Sequence, residues 1–191
     1  ANIEQKVFRL QLRIYKASTN QEFEKIYKLQ KLLISSQSAK FLAVKRVTQD
    51  NAGNETSGVY KLLILKSKDK FELAKQLILD GKSSPIQRTY IPAWSRKEAS
   101  LNIPTIKNRA KQMLASLALC PQWEASFESS SYGFRPGRSI LDAMKAIFLG
   151  ISNQPKWVLN ADIAKCFDGI NHHYLLNKCR TYPEMRKQIR S

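Results

Sequence analysis

The chain has 191 residues, 43% of them hydrophobic, enough for one domain or two small ones around a shared core. Lys and Arg number 32 against 15 Asp and Glu, a formal charge of +17 that far exceeds what solubility requires and points to a polyanionic partner. No apolar run approaches a membrane span, and the first residues lack the basic-then-apolar order of a secretory signal.

The cations are interleaved with Tyr, Phe and Ile rather than gathered in a tail, so RNA or DNA fits better than a disordered polycation; a solvated Lys-rich surface is the alternative. Cys120, Cys166 and Cys179 lie far apart with no CxxC pair, and His172 and His173 have no zinc spacing. Free thiols in a reducing compartment follow, and a soluble intracellular protein is expected, with bacterial cytoplasm and organelle interior both open.

From residue 3 to about 18, Val7, Leu10, Ile14 and Tyr15 recur at helical steps with Lys6, Arg9, Arg13 and Lys16 between them. Thr19 and Asn20 interrupt, and Phe23, Ile26, Tyr27, Leu29, Leu32 and Leu33 begin a second helix carrying Lys25, Lys28 and Lys31. A basic helical hairpin is predicted. Residues 1–50 hold ten Lys and Arg against four Asp and Glu, a net of +6, so this hairpin can engage several phosphates or simply present a solvated face.

Residues 48–58 are rich in turn formers and read as a loop too polar for the core. A helix is predicted over 62–79, stopped by Asp80-Gly81 as a glycine cap. Thr89 to Ile91 and Leu101 to Ile103 read as two short strands, each followed by a proline, in a hairpin whose tip carries Arg96 and Lys97. Helical periodicity returns at 107–119 and 141–151. Residues 157–163 read as a buried strand ending near Asp162.

A carboxylate at the end of an apolar strand can hold a divalent metal against phosphates, or can cap the following turn. Asp162 stands in Ala161-Asp162-Ile163-Ala164-Lys165-Cys166-Phe167-Asp168, followed by Gly169-Ile170-Asn171-His172. Upstream lie Ser131-Tyr132-Gly133-Phe134-Arg135-Pro136-Gly137-Arg138-Ser139, then Ile103-Pro104-Thr105 with Lys107 and Arg109, and Lys45-Arg46-Val47-Thr48-Gln49-Asp50-Asn51. Over nearly the whole chain, and in the same order, these strings resemble signatures of group II intron reverse transcriptases/maturases.

The resemblance implies an α/β (α+β) fragment of a right-hand polymerase: a basic helical extension over 1–58, fingers over 59–154 and the start of the palm over 155–191. It implies that Asp162, with the Ile163 carbonyl, belongs to a Mg2+ site, where two metals would stabilise the attacking and leaving oxygens. It makes Phe167 a steric gate against a ribose 2′-hydroxyl, with core packing as the alternative, and Asp168 an orderer of the turn. Arg96 and Lys97 are the candidate grip on an incoming triphosphate. Lys6, Arg9, Arg13, Lys16, Lys25, Lys28, Lys31, Lys45, Arg46, Arg135 and Arg138 are the candidate RNA contacts, Arg135 being equally suited to a structural ion pair.

The sequence also departs from that pattern. No Tyr-x-Asp-Asp string occurs, Ala93 and Ala99 stand where active relatives usually have Lys and Arg, Ser100-Leu101-Asn102 replaces Pro-Leu-Gly, and Tyr60 replaces an aspartate. The chain alone is therefore expected not to polymerise, and polymerase function is expected to be eroded. The implied partners are group II intron RNA, a DNA primer or target, and the remaining palm and thumb in the same or another chain; the implied role is assistance to splicing. An active polymerase when complete, and a protein-interaction module on a polymerase fold, are the rival readings.

Overall fold

A computed structural model describes residues 2–50, 66–91, 99–164 and 166–191, excepting the side chains of 91, 99, 100, 167 and 168. Helices α1 (Ile3–Thr19) and α2 (Phe23–Ser35) form the predicted hairpin. The Asn2 side chain caps α1 by accepting from the Glu4 amide at 3.2 Å. Its apolar stripe buries Val7, Ile14 and Ala17 against Ile26, Leu29 and Leu33 of α2 and the helices behind them. The turn between α1 and α2 passes through Gln21 at φ 58°, the left-handed region that reverses a chain tightly.

A further helix, α3 (Gln37–Lys45), follows and runs into a π-helical turn over Arg46–Asp50. Its buried residues are small, Ala39 and Ala43 beside Leu42 and Val44, so its periodicity is faint in the sequence. The loop expected from residue 48 is corrected at its start: Thr48 is buried and its hydroxyl donates to the Val44 carbonyl at 2.8 Å. The rest of that loop lies outside the described residues.

Helix α4 (Ser67–Gln76) ends three residues before the predicted stop. Leu77 is extended and fully buried, so the apolar residues beyond Gln76 enter the core as extended chain rather than as another turn. Gly81, at φ 69°, is not the helix cap; a Cβ there would lie 3.1 Å from Lys187 Cβ, and the close approach of the C-terminal helix requires glycine.

Strands β1 (Gln87–Ile91) and β2 (Ala99–Ile103) pair antiparallel, Gln87 opposite Ile103 and Ile91 opposite Ala99. The central helix α5 (Ile106–Glu124) starts at Thr105, whose hydroxyl accepts from the Asn108 amide at 3.2 Å, and packs against α1, α2 and α3. It passes through Pro121, beyond the end read from the sequence. Proline has no N–H for the Leu117 carbonyl four residues earlier, and Gln11 of α1 supplies the donor instead at 2.9 Å. Below it the buried Gln30 donates to the Gln122 side chain at 2.7 Å and to the Ala118 carbonyl at 3.3 Å.

Helix α6 (Ile140–Ile151) has a capping box, Ser139 accepting from the Asp142 amide while Asp142 accepts from the Ser139 amide, but buries no residue. Helices α7 (Cys166–Gly169), α8 (His172–Lys178) and α9 (Pro183–Arg190) complete the chain, and α9 returns Tyr182 and Met185 to the core beside α2.

The buried strand expected at 157–163 is not present. These residues form neither helix nor strand and are exposed, Trp157 at 104%. A strand needs a neighbour for its N–H and C=O groups, and the one sheet among the described residues is the β1–β2 hairpin. The described chain is thus an α+β fragment dominated by helices.

Candidate nucleic-acid interface

On α1 the residues Lys6, Arg9, Arg13 and Lys16 follow one another by three, four and three positions, so they share one solvent-facing stripe about 15 Å long. None of the four makes an ion pair among the described residues. Beside this stripe α1 exposes Phe8, Leu12 and Tyr15, placing aromatic surface next to the cations. The structure therefore brings four of the sequence-predicted contacts onto a single face.

The α2 lysines are less alike. Lys25 pairs with Glu22 at 2.6 Å, and Lys31 lies 3.6 Å from Glu184 and 5.0 Å from the Tyr182 ring centroid; Lys28 is exposed without an ion pair among the described residues. Lys45 reaches back to Glu4 at 2.9 Å, a hydrogen bond that lowers the Glu4 carboxyl below the ordinary carboxylate range and raises the Lys45 ammonium. Arg46 is exposed at the start of the π-helical turn.

Arg135 is buried and turned into its own chain. Its Nε and Nη2 donate to the two carboxylate oxygens of Glu124 at 3.2 and 2.6 Å, and Nη1 donates to the carbonyls of Glu128 and Ser131 at 2.6 and 2.8 Å. Four donor contacts are thereby used in fixing the 124–135 turn, the ion-pair alternative of the two open in the sequence. Arg138 remains exposed, 5.4 Å from the Tyr132 ring centroid.

Asp162 and Ile163 are exposed, and the Asp162 carboxylate accepts from the Ile163 amide at 2.9 Å. That contact is a local turn cap. The Phe167 side chain and the whole of Arg96 and Lys97 lie outside the described residues. The reverse transcriptase family uses Mg2+, yet no group of three His, Cys, Asp or Glu able to hold a metal occurs among the described residues. One carboxylate with a neighbouring carbonyl does not by itself fit a two-metal centre. The cysteines are free thiols, and no helix among the described residues is long and apolar enough to cross a membrane.

A feature that no sequence spacing signals is a cavity of about 440 Å³ where the α1–α2 turn, the C-terminal end of α5 and residues 178–180 meet. It gathers Phe23, Trp123, Lys178 and Arg180 from distant parts of the chain.

Residues 1–77 match the N-terminal domain of reverse transcriptase, and residues 96–191 match reverse transcriptase (RNA-dependent DNA polymerase). The chain is 31% identical to maturase-like protein 1 of Euglena gracilis over 179 residues, 90% of this chain and 39% of that protein. It is 29% identical to protein YkfC of Escherichia coli over 164 residues, 80% of this chain and 43% of the relative. Over 113 residues, 58% of this chain and 19% of the relative, it is 34% identical to group II intron-encoded protein LtrA of Lactococcus lactis subsp. cremoris. It therefore spans less than half the length of each of these relatives. With both reverse transcriptase segments matched in order and relatives of this kind, the chain belongs to the group II intron reverse transcriptase/maturase family.

Proposed function

We propose that this chain binds folded group II intron RNA and assists splicing by holding the RNA in its active conformation. The observation that carries this reading is the cationic stripe Lys6–Arg9–Arg13–Lys16, without an ion pair among the described residues, on a helix whose opposite face is locked into the core. Such a clamp needs no chemistry from the protein: binding one RNA conformation in preference to others shifts its population. Lys28, Arg46 and Arg138 extend the contact surface, while Arg135 shapes the fold beneath it. Names of relatives that carry the words maturase and group II intron support the same reading.

Reverse transcription belongs, in this reading, to a more complete protein in which Asp162 joins further carboxylates around Mg2+ and Phe167 faces the sugar. Helix α6 and residues 157–163 favour such completion. Ile140, Leu141, Met144, Ile147, Phe148 and Leu149 are all exposed, an apolar face that packs against further polymerase segments in the same or another polypeptide. The replacements at Ala93 and Ala99 weigh against strong polymerase activity even then.

The test is filter binding to a group II intron transcript over a range of salt. Affinity falls steeply, with log affinity losing roughly 0.7 to 0.9 units per log unit of salt for each phosphate engaged. Salt-independent affinity, or none at low salt, overturns the proposal.

A further inference from the structure

Among the described residues three non-glycine residues have positive φ, and two of them, Gln21 at 58° and Arg180 at 39°, line the same cavity at the end of α5. Left-handed backbone is costly for residues with a Cβ and concentrates where a chain is held in place for a ligand. Here the holding group is Gln122, 6% exposed, whose Nε2 donates to the Arg180 carbonyl at 3.4 Å while its Oε1 accepts from Gln30 at 2.7 Å. The loop carrying Arg180 is thus tied to the core of the helical bundle.

The lining has a definite chemistry. Phe23 and Trp123 supply aromatic walls, and the Arg180 guanidinium lies 5.6 Å from the Phe23 ring centroid, a cation already set on an aromatic face. Lys178 adds a second cation, and among the described residues no Asp or Glu lines the cavity. Aromatic and guanidinium surfaces, two cations and no carboxylate disfavour a cationic or purely apolar ligand. They suit a flat, hydrogen-bonding ring carrying negative charge, and a volume of about 440 Å³ admits one such group. Unpaired bases of RNA are recognised by this combination, splayed out and stacked on aromatic or guanidinium planes.

We propose that this cavity receives one unpaired nucleotide of the bound RNA, its base against Trp123 and the Phe23–Arg180 pair and its phosphate beside Lys178. The assignment rests on the RNA-binding reading and refines it. The α1 stripe supplies charge without regard to sequence, whereas the cavity requires a base that is not already paired, and so distinguishes a loop or bulge from a continuous duplex.

The experiment compares a single-stranded RNA oligonucleotide with an abasic oligonucleotide of equal phosphate count. Wild-type protein binds the base-bearing strand more tightly, by about 5- to 150-fold, the range that one base stacked on an aromatic side chain contributes. Trp123→Leu brings the two affinities close together while leaving the abasic affinity and its salt slope unchanged, and Trp123→Phe retains the preference. Because Trp123 is partly buried, the exposed rim variant Arg180→Gln is measured beside it and also narrows the preference, with far-UV circular dichroism of both matching wild type. Cross-linking of 5-iodouridine RNA places the adduct on the peptide containing Trp123. Equal wild-type binding of both strands, or a preference that survives both Trp123→Leu and Arg180→Gln, overturns the cavity assignment and leaves RNA binding standing. Failure of both strands to bind at low salt overturns the RNA-binding reading, and the cavity assignment with it.

Discussion

The side-chain amide of Gln11 donates to the carbonyl of Leu117 at 2.9 Å, the carbonyl that Pro121 leaves without its helical partner. One residue on α1 thereby supplies a missing hydrogen bond of α5, 106 positions away. This predicts a coupled pair. Gln11→Ala strands a part-buried carbonyl and costs about 1–3 kcal/mol in urea unfolding, whereas in a Pro121→Ala background the helix supplies its own donor and the same change costs less. Strictly additive effects would show that Leu117 finds another donor.

The core and the α6 face should respond differently to truncation. Leu114 is fully buried on α5, and Leu114→Ala is expected to cost about 2–5 kcal/mol. Phe148 is 66% exposed, and Phe148→Ala should stay within roughly 0.5 kcal/mol. A loss at Phe148 comparable to that at Leu114 would demonstrate that another polypeptide segment covers α6 in solution.

Salt dependence separates the two basic faces. Replacing Lys6, Arg9, Arg13 and Lys16 together with Ala should flatten the plot of log affinity against log salt by about three units for intron RNA. Replacing Lys25, Lys28 and Lys31 should flatten it less, nearer one unit, because Lys25 and Lys31 already face Glu22 and Glu184. Equal losses from the two sets would mean that RNA displaces those carboxylates.

Acid stability depends on Asp80. The Lys111 side chain, 5% exposed, donates to the Asp80 carboxylate at 2.5 Å and to the Lys82 carbonyl at 2.8 Å. The Lys111 hydrogen bond, with a smaller contribution from the Lys82 amide, pulls the Asp80 carboxyl from 3.8 down to about 2. Since the folded value is the lower one, the stabilisation is complete above about pH 4 and is lost as pH falls through about 2. Asp80→Asn should lower stability near neutrality and flatten its pH dependence in that window, measured by urea midpoints from pH 2 to 6. An unchanged profile would remove Asp80 from the acid response.

Catalysis and splicing are expected to part at Asp162. Asp162→Ala in a protein carrying the remaining polymerase segments should leave intron splicing within about twofold of wild type, because clamping RNA needs no palm metal. Primer extension, measured in parallel, should be weak in the unmodified protein and rise in an Ala93→Lys/Ala99→Arg variant. Robust Mg2+-dependent extension by the unmodified protein would return the triphosphate grip to Arg96 or Lys97 and contradict erosion.

The helices with strong local signals were legible without coordinates. The periodicity of 3–18 and 23–33, the proline-flanked strands and the runs at 107–119 and 141–151 reappear within a few residues of their expected bounds, because each is decided by local pattern and capping. The family resemblance was carried by other strings, at 45–51, 103–105, 131–139 and 161–172, which are sequence signatures first and geometry second. Helix α3 was not legible, for its buried face is largely alanine and gives no amphipathic contrast.

Three matters belonged to tertiary structure alone. An apolar run at 157–163 reads as a buried strand, but a strand forms only where another offers its backbone, and no residue pattern within the run can provide that. Arg135 in a glycine-rich turn suits a phosphate as well as a carboxylate; only the position of Glu124, eleven residues earlier on α5, turns it inward. Lysines that look equivalent along α2 differ once α9 folds back and places Glu184 and Tyr182 beside Lys31. The sequence determined the strongly patterned helices, the hairpin and the family they belong to, because those depend on neighbours in the chain. Which charges remain free for RNA, and which aromatic and cationic groups share a cavity, depends on neighbours in space.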